Sequence, residues 1–250
     1  MLGGTERIMP IMPQDLPPVL IERPRLSDAV YNQLLSDIMV GAFSVGERMP
    51  PETQLAQRFN VSRPVVREAL QRLQNDGIVQ SRQGSGSFVQ RSPSQRVGEL
   101  TQTFSLHEVL QSFELRMAIE ALSARLAARH RSEAQLRQIE LAANAVRAAF
   151  EQGTPLRDAD YSFHQAIAIA SGNLLLLETL DQLADRLKNG MDVTLSITRE
   201  AAAPRRTRVL DEHDRIVNGI RVGDGDSAAI AMCYHLDQAR SRLLDGRLDR

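Results

Sequence analysis

The sequence predicts a mostly α protein in two parts: an N-terminal module of helices with a small β hairpin, and a C-terminal all-α antiparallel helical bundle. Three observations support this prediction. Apolar residues recur at three- and four-residue spacing along most of the chain, as on the buried face of an amphipathic helix. A glycine-bearing turn at 83–86 separates two short apolar segments, as in a hairpin. After residue 105 only helical patterns occur, separated by glycine, proline and serine breaks.

The N-terminal module is predicted to have helix, turn, helix and hairpin in that order. Its predicted elements are helices 26–40, 52–59 and 62–75 and strands 78–82 and 87–90. Ser62 is suited to cap the third helix, and Pro64 lies early in it, where a missing N–H costs little. Gly77 follows the end of that helix, where a left-handed residue commonly stops a helix.

Six further helices are predicted for the C-terminal part, at 105–130, 132–151, 155–171, 173–197, 204–222 and 226–245. The first has four apolar residues that are expected to face the bundle interior: Leu115, Ile119, Leu122 and Leu126. The predicted domain limits are a disordered arm at 1–24, the N-terminal module at 25–91, a linker at 92–104 and the helical domain at 105–246. The helical domain is of ordinary size.

The composition predicts a cytoplasmic protein with an anionic partner at one end. The formal net charge is −1, but segment 23–91 contains nine arginines, no lysine and six acids, which leaves three positive charges in excess. Cys233 is the single cysteine, so no disulfide framework can form within one chain. No apolar run approaches the roughly 20 residues that a membrane helix needs, so no membrane partner is expected.

The third predicted helix has one apolar face and one face that carries arginines. Arg63 and Arg67 are four residues apart and therefore project from the same side. A helix fits the major groove of double-stranded DNA, and an arginine can bind guanine O6 and N7 with two hydrogen bonds. The hairpin turn, with Gln83 and Gly84, has little side-chain bulk and could enter a minor groove. Two arginines on one helix are ordinarily just solvated, but the order of the elements around them favours DNA binding.

Segment 26–90 resembles the winged helix-turn-helix of the GntR family of bacterial transcription regulators. The resemblance is carried by GERMPPETQLAQRFNVSRPVVREALQRLQNDGIV and GSGSFV. It implies that four residues approach DNA: Ser62, Arg63, Arg67 and Gly84. The family often has an arginine in a Glu-Arg-Glu run, where this chain has Glu52, Thr53 and Gln54. One expected DNA contact is thus missing, and an altered operator consensus is expected.

Three different helices of the bundle each carry a histidine within an apolar stripe. His164 follows Asp160 by four residues, and His213 and His235 lie on later helices. Lone buried histidines would be costly, and convergence on one divalent ion removes that cost, because neutral imidazole and carboxylate are standard metal ligands. These four residues are therefore predicted metal ligands. On an octahedral ion they would leave two positions open. The alternative is that each histidine is a satisfied core residue or a surface residue.

The bundle also resembles the FCD-type effector domain of the FadR-like branch of GntR regulators. The resemblance covers about 105–245 and is carried by DADYSFHQAI, DEHDRIVNGI and GDSAAIAMCYHL. It implies the same four metal ligands, a Zn, Ni or Mn ion and a small carboxylate effector. Arg116, in ELRMAIE, resembles an arginine that can pair with the effector carboxylate, and Arg186 is a second candidate. The alternative for Arg116 is a surface salt bridge with Glu120.

The sequence thus predicts a homodimeric transcription regulator that binds an inverted-repeat DNA operator. We expect a repressor that releases DNA when a small organic-acid effector binds, with no catalytic residues. One alternative is a metal-dependent enzyme acting on a small carboxylate, because three histidines and a carboxylate could activate water. Another is a bundle that serves only for dimerisation. His107 and His130 are expected to be surface or helix-end residues.

Overall fold

Residues 26–93, 106–186, 195 and 203–244 are described by a computed structural model. In this part of the chain, nine helices and one two-stranded antiparallel sheet are present, which confirms the mostly α prediction. The arm predicted over 1–24 lies outside the described residues, as does the linker predicted over 92–104 apart from its first two residues. No helix in the described ranges is long and apolar enough to cross a membrane.

Three helices form the N-terminal module around a small apolar core. They are α1 (Leu26–Met39), α2 (Glu52–Phe59) and α3 (Arg63–Asn75). The inner side of α3 is buried against the other two helices through Val66, Ala69, Leu70 and Leu73. Ser62 occupies the N-cap position as predicted, but its side chain makes no capping hydrogen bond, so that part of the prediction is wrong. Pro64 lies in the first turn, where its fixed φ suits the start of a helix.

A β hairpin follows α3 and forms the wing. Strand β1 (Val79–Arg82) pairs antiparallel with β2 (Gly86–Val89), with Val79 opposite Val89 and Arg82 opposite Gly86. Gly84, in the turn, has a φ of +71°, which residues with a Cβ rarely adopt. A Cβ on Gly86 would lie 3.0 Å from Arg48 Nε, so glycine also lets the hairpin pack against the loop before α2. The wing tip is therefore narrow.

Six helices form the C-terminal part: α4 (Leu106–His130), α5 (Glu133–Gln152), α6 (Arg157–Ala170), α7 (Leu174–Arg186), α8 (Ala203–Arg221) and α9 (Gly225–Leu244). Helix α4 packs against α6 and α9, and α8 packs against α5 and α9. Ser132 and Gln135 form a capping box at the start of α5, and Gly153 ends that helix in the left-handed conformation. The last residues of the helix predicted over 173–197 lie outside the described part.

The predicted inner face of α4 is wrong. Leu115 and Leu122 are each 43% exposed, and the residues that α4 turns inward are mainly small or polar. The reason is close packing against α9, where a Cβ on Gly225 would lie only 2.9 Å from the backbone oxygen of Arg125. A side of α4 that approaches another helix so closely has room for alanine and serine, such as Ala124, but none for a row of leucines.

The two parts meet at a polar junction between α1, the end of α3 and the start of α4. Tyr31 Oη donates a 2.6 Å hydrogen bond to Asp76, and His107 Nδ1 lies 3.0 Å from both carboxylate oxygens of Asp76. Burial raises the pKa of Asp76, although the hydrogen bonds from Tyr31 and His107 oppose that effect. His107 is partly buried here as the second residue of α4, and His130 is exposed as the last, so both lie at helix ends as expected.

Candidate functional site

The arginines predicted to read DNA lie on the outward side of α3. Arg63 and Arg67 are both exposed, as are Ser62 before the helix and Gln83 and Gly84 at the wing tip. The packing of α3 explains this arrangement, because its apolar side is buried in the core of the N-terminal module. The structure leaves all five residues accessible to a macromolecule, and their contact with DNA remains a prediction.

Glu52 holds the two arginines of α3, a role that the sequence analysis did not predict. Arg67 donates two hydrogen bonds to the Glu52 carboxylate, from Nε at 3.1 Å and from Nη2 at 2.8 Å. Arg63 Nη2 lies 3.8 Å from the same carboxylate. The hydrogen bond from Arg67 lowers the pKa of Glu52. A two-point contact of this kind fixes the plane of the guanidinium, which orients Arg67 on the exposed face.

The four predicted metal ligands converge at the centre of the bundle. Asp160 and His164 come from α6, His213 comes from α8 and His235 comes from α9, and all four are buried. One ligand atom from each lies within 4.8 Å of the others. The three imidazole centroids are 4.6–6.1 Å apart. The sequence prediction that these residues share one place in the fold therefore agrees with the geometry.

Distances within the cluster suit metal ligands better than hydrogen-bond partners. Asp160 Oδ2 lies 3.7 Å from His164 Nε2, and Asp160 Oδ1 lies 3.7 Å from His213 Nε2. A hydrogen bond requires about 2.7–3.2 Å. Two ligands on one ion at about 2.1 Å would be roughly 3–4.2 Å apart, depending on the angle between them. Neither ring nitrogen of His213 has a hydrogen-bond partner among the described residues, which leaves a buried polar group that an ion would satisfy.

Two glutamates orient the histidines from outside the cluster. His164 Nδ1 lies 2.5 Å from Glu120 Oε2 in a close contact without hydrogen-bond alignment, and His235 Nδ1 is hydrogen-bonded with Glu212 Oε2 at 2.9 Å. A carboxylate on one ring nitrogen fixes the tautomer and turns the other nitrogen, Nε2, toward the cluster. Burial would raise the pKa of Glu120, but the charges of Arg116 and His164 outweigh it and bring the pKa to about 2. Glu120 is therefore an anion in the bundle interior.

Two of the histidines are in the neutral form that metal binding requires. Burial, followed by the repulsion that protonated forms of His235 and His164 would exert, lowers the pKa of His213 well below its usual range. Burial also lowers the pKa of His235, and the hydrogen bond to Glu212 only partly opposes this. His213 stacks on Phe163 with the ring centroids 4.5 Å apart, which fixes the plane of the imidazole. A neutral imidazole keeps the lone pair that binds a metal.

Arg116 is buried beside the cluster and lines a small internal cavity. Its Nε lies 2.5 Å from Glu120 Oε1, so the pair exists but is internal, and the alternative of a surface salt bridge is wrong. The cavity has a volume of about 30 Å³ and is lined by Asp160 and His235 together with mainly apolar residues. Arg242, which the sequence analysis missed, also lines it. The side chain of Arg186 lies outside the described residues.

Two family models match the two parts of the chain. Residues 26–89 match the family model "Bacterial regulatory proteins, gntR family", and residues 111–238 match "FCD domain". The chain is 32% identical over 199 residues to the HTH-type transcriptional regulator LutR of Bacillus subtilis, covering 78% of this chain and 91% of that protein. It is 31% identical over 219 residues to an L-lactate dehydrogenase operon regulatory protein of Escherichia coli K12, covering 85% and 84%.

A third relative extends the match over nearly the whole chain. The HTH-type transcriptional repressor NanR of Escherichia coli is 29% identical over 239 residues, covering 93% of this chain and 90% of that protein. All three relatives are transcription regulators and none is an enzyme. The alternative of a metal-dependent enzyme is therefore set aside.

Proposed function

The chain belongs to the GntR family of bacterial transcription regulators and carries an FCD domain of the FadR-like branch, and from this premise we propose a metal-dependent, effector-controlled repressor. One observation carries the proposal: four buried ligand atoms lie within 4.8 Å of one another on three helices. A dimerisation bundle alone would have no use for the buried imidazole of His213, whose two nitrogens have no hydrogen-bond partner among the described residues, because such burial is costly.

We propose that Asp160, His164, His213 and His235 hold one Zn, Ni or Mn ion. Nitrogen and oxygen donors of this kind suit all three metals. When bound, the ion supplies a fixed positive charge and open coordination positions for oxygens of the effector. The protein's own contribution is the orientation of the imidazoles by Glu120 and Glu212.

The effector is proposed to be a small hydroxy acid. The internal cavity of about 30 Å³ holds roughly two waters, so only a small molecule can enter without large rearrangement. Its lining includes two buried guanidiniums, Arg116 and Arg242, which suit a carboxylate. Apolar residues complete the lining, among them Val109, Phe113 and Val209. A relative named for an L-lactate dehydrogenase operon makes L-lactate the first acid to test.

Helix α4 is proposed to couple the cavity lined by Arg116 to the N-terminal module that binds DNA. Glu120 and Arg116 lie on α4 at the metal cluster, and His107 lies on the same helix at the polar junction with Asp76. The two points are 13 residues apart, or about 20 Å along a helix. Asp76 directly follows α3, so a displacement of α4 would reach the end of the helix that carries Arg63 and Arg67. An acid larger than two waters would push the cavity walls apart, and α4 is one of those walls.

A homodimer is proposed, with the exposed apolar side of α4 as its contact surface. Leu115 and Leu122 are exposed on α4, and Ile230, which is 69% exposed, lies beside Leu122 in a surface groove shared with α9. Large apolar side chains grouped on a surface mark an interaction site. A two-fold dimer would present two copies of α3 to an inverted-repeat operator. Binding to chromosomal DNA would place the protein in the bacterial cytoplasm.

The proposal is tested in two steps. Elemental analysis after gentle purification is expected to find about one metal ion per chain in the wild type and much less in His213→Ala. Fluorescence anisotropy on an operator, selected from random DNA by the protein itself, then measures affinity with and without L-lactate and other small acids. We expect an acid to weaken wild-type binding but not that of His213→Ala. A protein that binds no metal, even on titration, would refute the proposal.

A further inference from the structure

A second cavity opens at the surface between α8 and α9. Its volume is about 250 Å³, several times that of the internal cavity. Four arginines and two carboxylates line it, which leaves two positive charges in excess: Arg205, Arg208, Arg215, Arg242, Asp211 and Glu212. We refer to it as the arginine cleft. The proposed regulation of DNA binding uses two of these residues, Arg242 and Glu212, and gives no role to the three arginines of α8.

Helix geometry explains why the arginines gather on one wall. Arg205, Arg208 and Arg215 are separated by three and seven residues, a spacing that places them on one side of α8. From α9, Tyr234 and Gln238 face them across the cleft, four residues apart. The two helices pack against each other, so both rows are held by the bundle. The cleft therefore has charged hydrogen-bond donors from both helices and neutral donors from α9.

The charges of the cleft are only partly neutralised. Glu212 is fully engaged, because it accepts hydrogen bonds from Arg242 Nη1 at 3.0 Å and Nη2 at 3.2 Å and lies 2.9 Å from His235 Nδ1. Within the described residues, Arg208 and Arg215 are exposed and make no ion pair. The buried Nε of Arg242 also has no acceptor in the described part of the chain. Buried donors without an acceptor are uncommon and call for an explanation.

The geometry points to a second anion site: we propose that the arginine cleft binds a small polyanion that carries carboxylate or phosphate groups. Planar guanidiniums bind pairs of such oxygens, and several on one wall favour an anion with more than one charge. The cleft is concave, and two of its arginines, Arg205 and Arg242, are only 4% and 7% exposed. Arg205 and Arg242 lie too deep for a DNA duplex to reach, whereas the exposed guanidiniums of Arg208 and Arg215 are open to a small anion.

Occupation of the cleft is expected to be linked to the metal cluster. Glu212 is shared between Arg242, which lines both cavities, and His235, which is a predicted metal ligand. A polyanion that binds Arg242 would leave Glu212 more fully to His235 Nδ1. Since coupling between two sites is reciprocal, the anion and the metal should each change the affinity of the other.

Isothermal titration calorimetry on the full, metal-loaded chain tests the site. The probes are tricarballylate, for a carboxylate source, and inorganic phosphate, for a phosphate source. We expect one saturable site per chain for at least one of them. Arg208→Gln and Arg215→Gln should each weaken that binding by about tenfold, as expected for a lost charge-assisted hydrogen bond. Arg206→Gln is the matched control, because Arg206 is on the same helix and does not line the cleft.

Several results would overturn the proposal. The first is that neither probe shows saturable binding. The second is that Arg206→Gln weakens probe binding as much as Arg208→Gln does. The third is that the metal leaves the protein during the titration, which would mean that the observed heat comes from chelation of the metal by the probe. Probe binding that falls in Arg116→Gln but not in Arg208→Gln or Arg215→Gln would move the anion to the internal cavity. An operator affinity that falls in Arg208→Gln while neither probe binds would assign the cleft to DNA instead. None of these results bears on the proposed metal-dependent repressor, which is tested separately by metal content and by effector-induced release of the operator.

Discussion

Replacement of Glu120 probes the metal cluster through a residue that is not itself a ligand. Its carboxylate lies between two buried groups, with Oε1 2.5 Å from Arg116 Nε and Oε2 2.5 Å from His164 Nδ1. Glu120→Gln keeps the shape of the side chain and removes the charge. We expect the metal affinity to fall by about 10- to 100-fold, the usual effect of losing a carboxylate that supports a ligand histidine. This corresponds to about 1.4–2.7 kcal/mol.

The same substitution should also destabilise the fold, because Arg116 would remain buried without its anion. Removal of one partner from a buried ion pair costs about 3–5 kcal/mol. The double variant Arg116→Gln/Glu120→Gln removes both charges and should recover much of that stability. Its metal affinity should remain low, since His164 still lacks its carboxylate. The two variants therefore separate loss of stability from loss of orientation.

Metal affinity is measured by competition with a chromophoric chelator, and stability by urea unfolding of the metal-free protein. Glu114→Gln is the matched control, because the same substitution is made on the same helix at an exposed position. It is expected to change neither quantity. A double variant that binds metal within about threefold of the wild type would refute the role of Glu120 in orienting His164.

Three further outcomes are expected. Arg67→Ala should weaken specific operator binding by about 1–3 kcal/mol in fluorescence anisotropy, and an unchanged affinity would contradict the assignment of α3 as the recognition helix. His107→Ala should preserve operator binding by the effector-free protein but reduce effector-induced release, because it removes the contact between α4 and Asp76; a full response would exclude this junction from the signal. Leu122→Asp should yield monomers in analytical ultracentrifugation, whereas a persistent dimer would place the interface elsewhere.

The helices of this protein could be predicted because residues close to each end in the sequence determine where a helix begins and ends. Ser132 and Gln135 act within one turn, and Gly153 needs only its own backbone conformation. The wing was predictable for the same reason, since a glycine turn between two short apolar segments is a local signal. Ser62 shows the limit of such signals: it occupies the expected cap position without making the expected hydrogen bond.

The two glutamates that lie against the histidines could not be predicted from the sequence, because their role depends on which side of each helix is buried. Asp160 and His164 are visible as a pair at four-residue spacing, which suggests a metal site without knowledge of the fold. Glu120 and Glu212 carry no such signal, since a glutamate on a helix is ordinarily solvated. The leucines of α4 led to a wrong prediction, because their spacing indicated that the side of the helix carrying Leu115 and Leu122 is buried, whereas it is exposed. Close contact with α9 determines which side of α4 is buried, and that contact forms only in the assembled bundle.

The inner face of α4 also restricts how that helix can move. Arg116 and Glu120 are buried on it, one turn apart, and Glu120 contacts His164. Rotation of α4 about its axis would carry this pair out of reach of its partners and bring Leu122 toward a contact that has no room for it. Translation along or across the axis keeps the pair intact and changes the position of His107 by a similar amount. We therefore expect the effector to displace α4 as a rigid rod, with the DNA-reading helix α3 responding through Asp76.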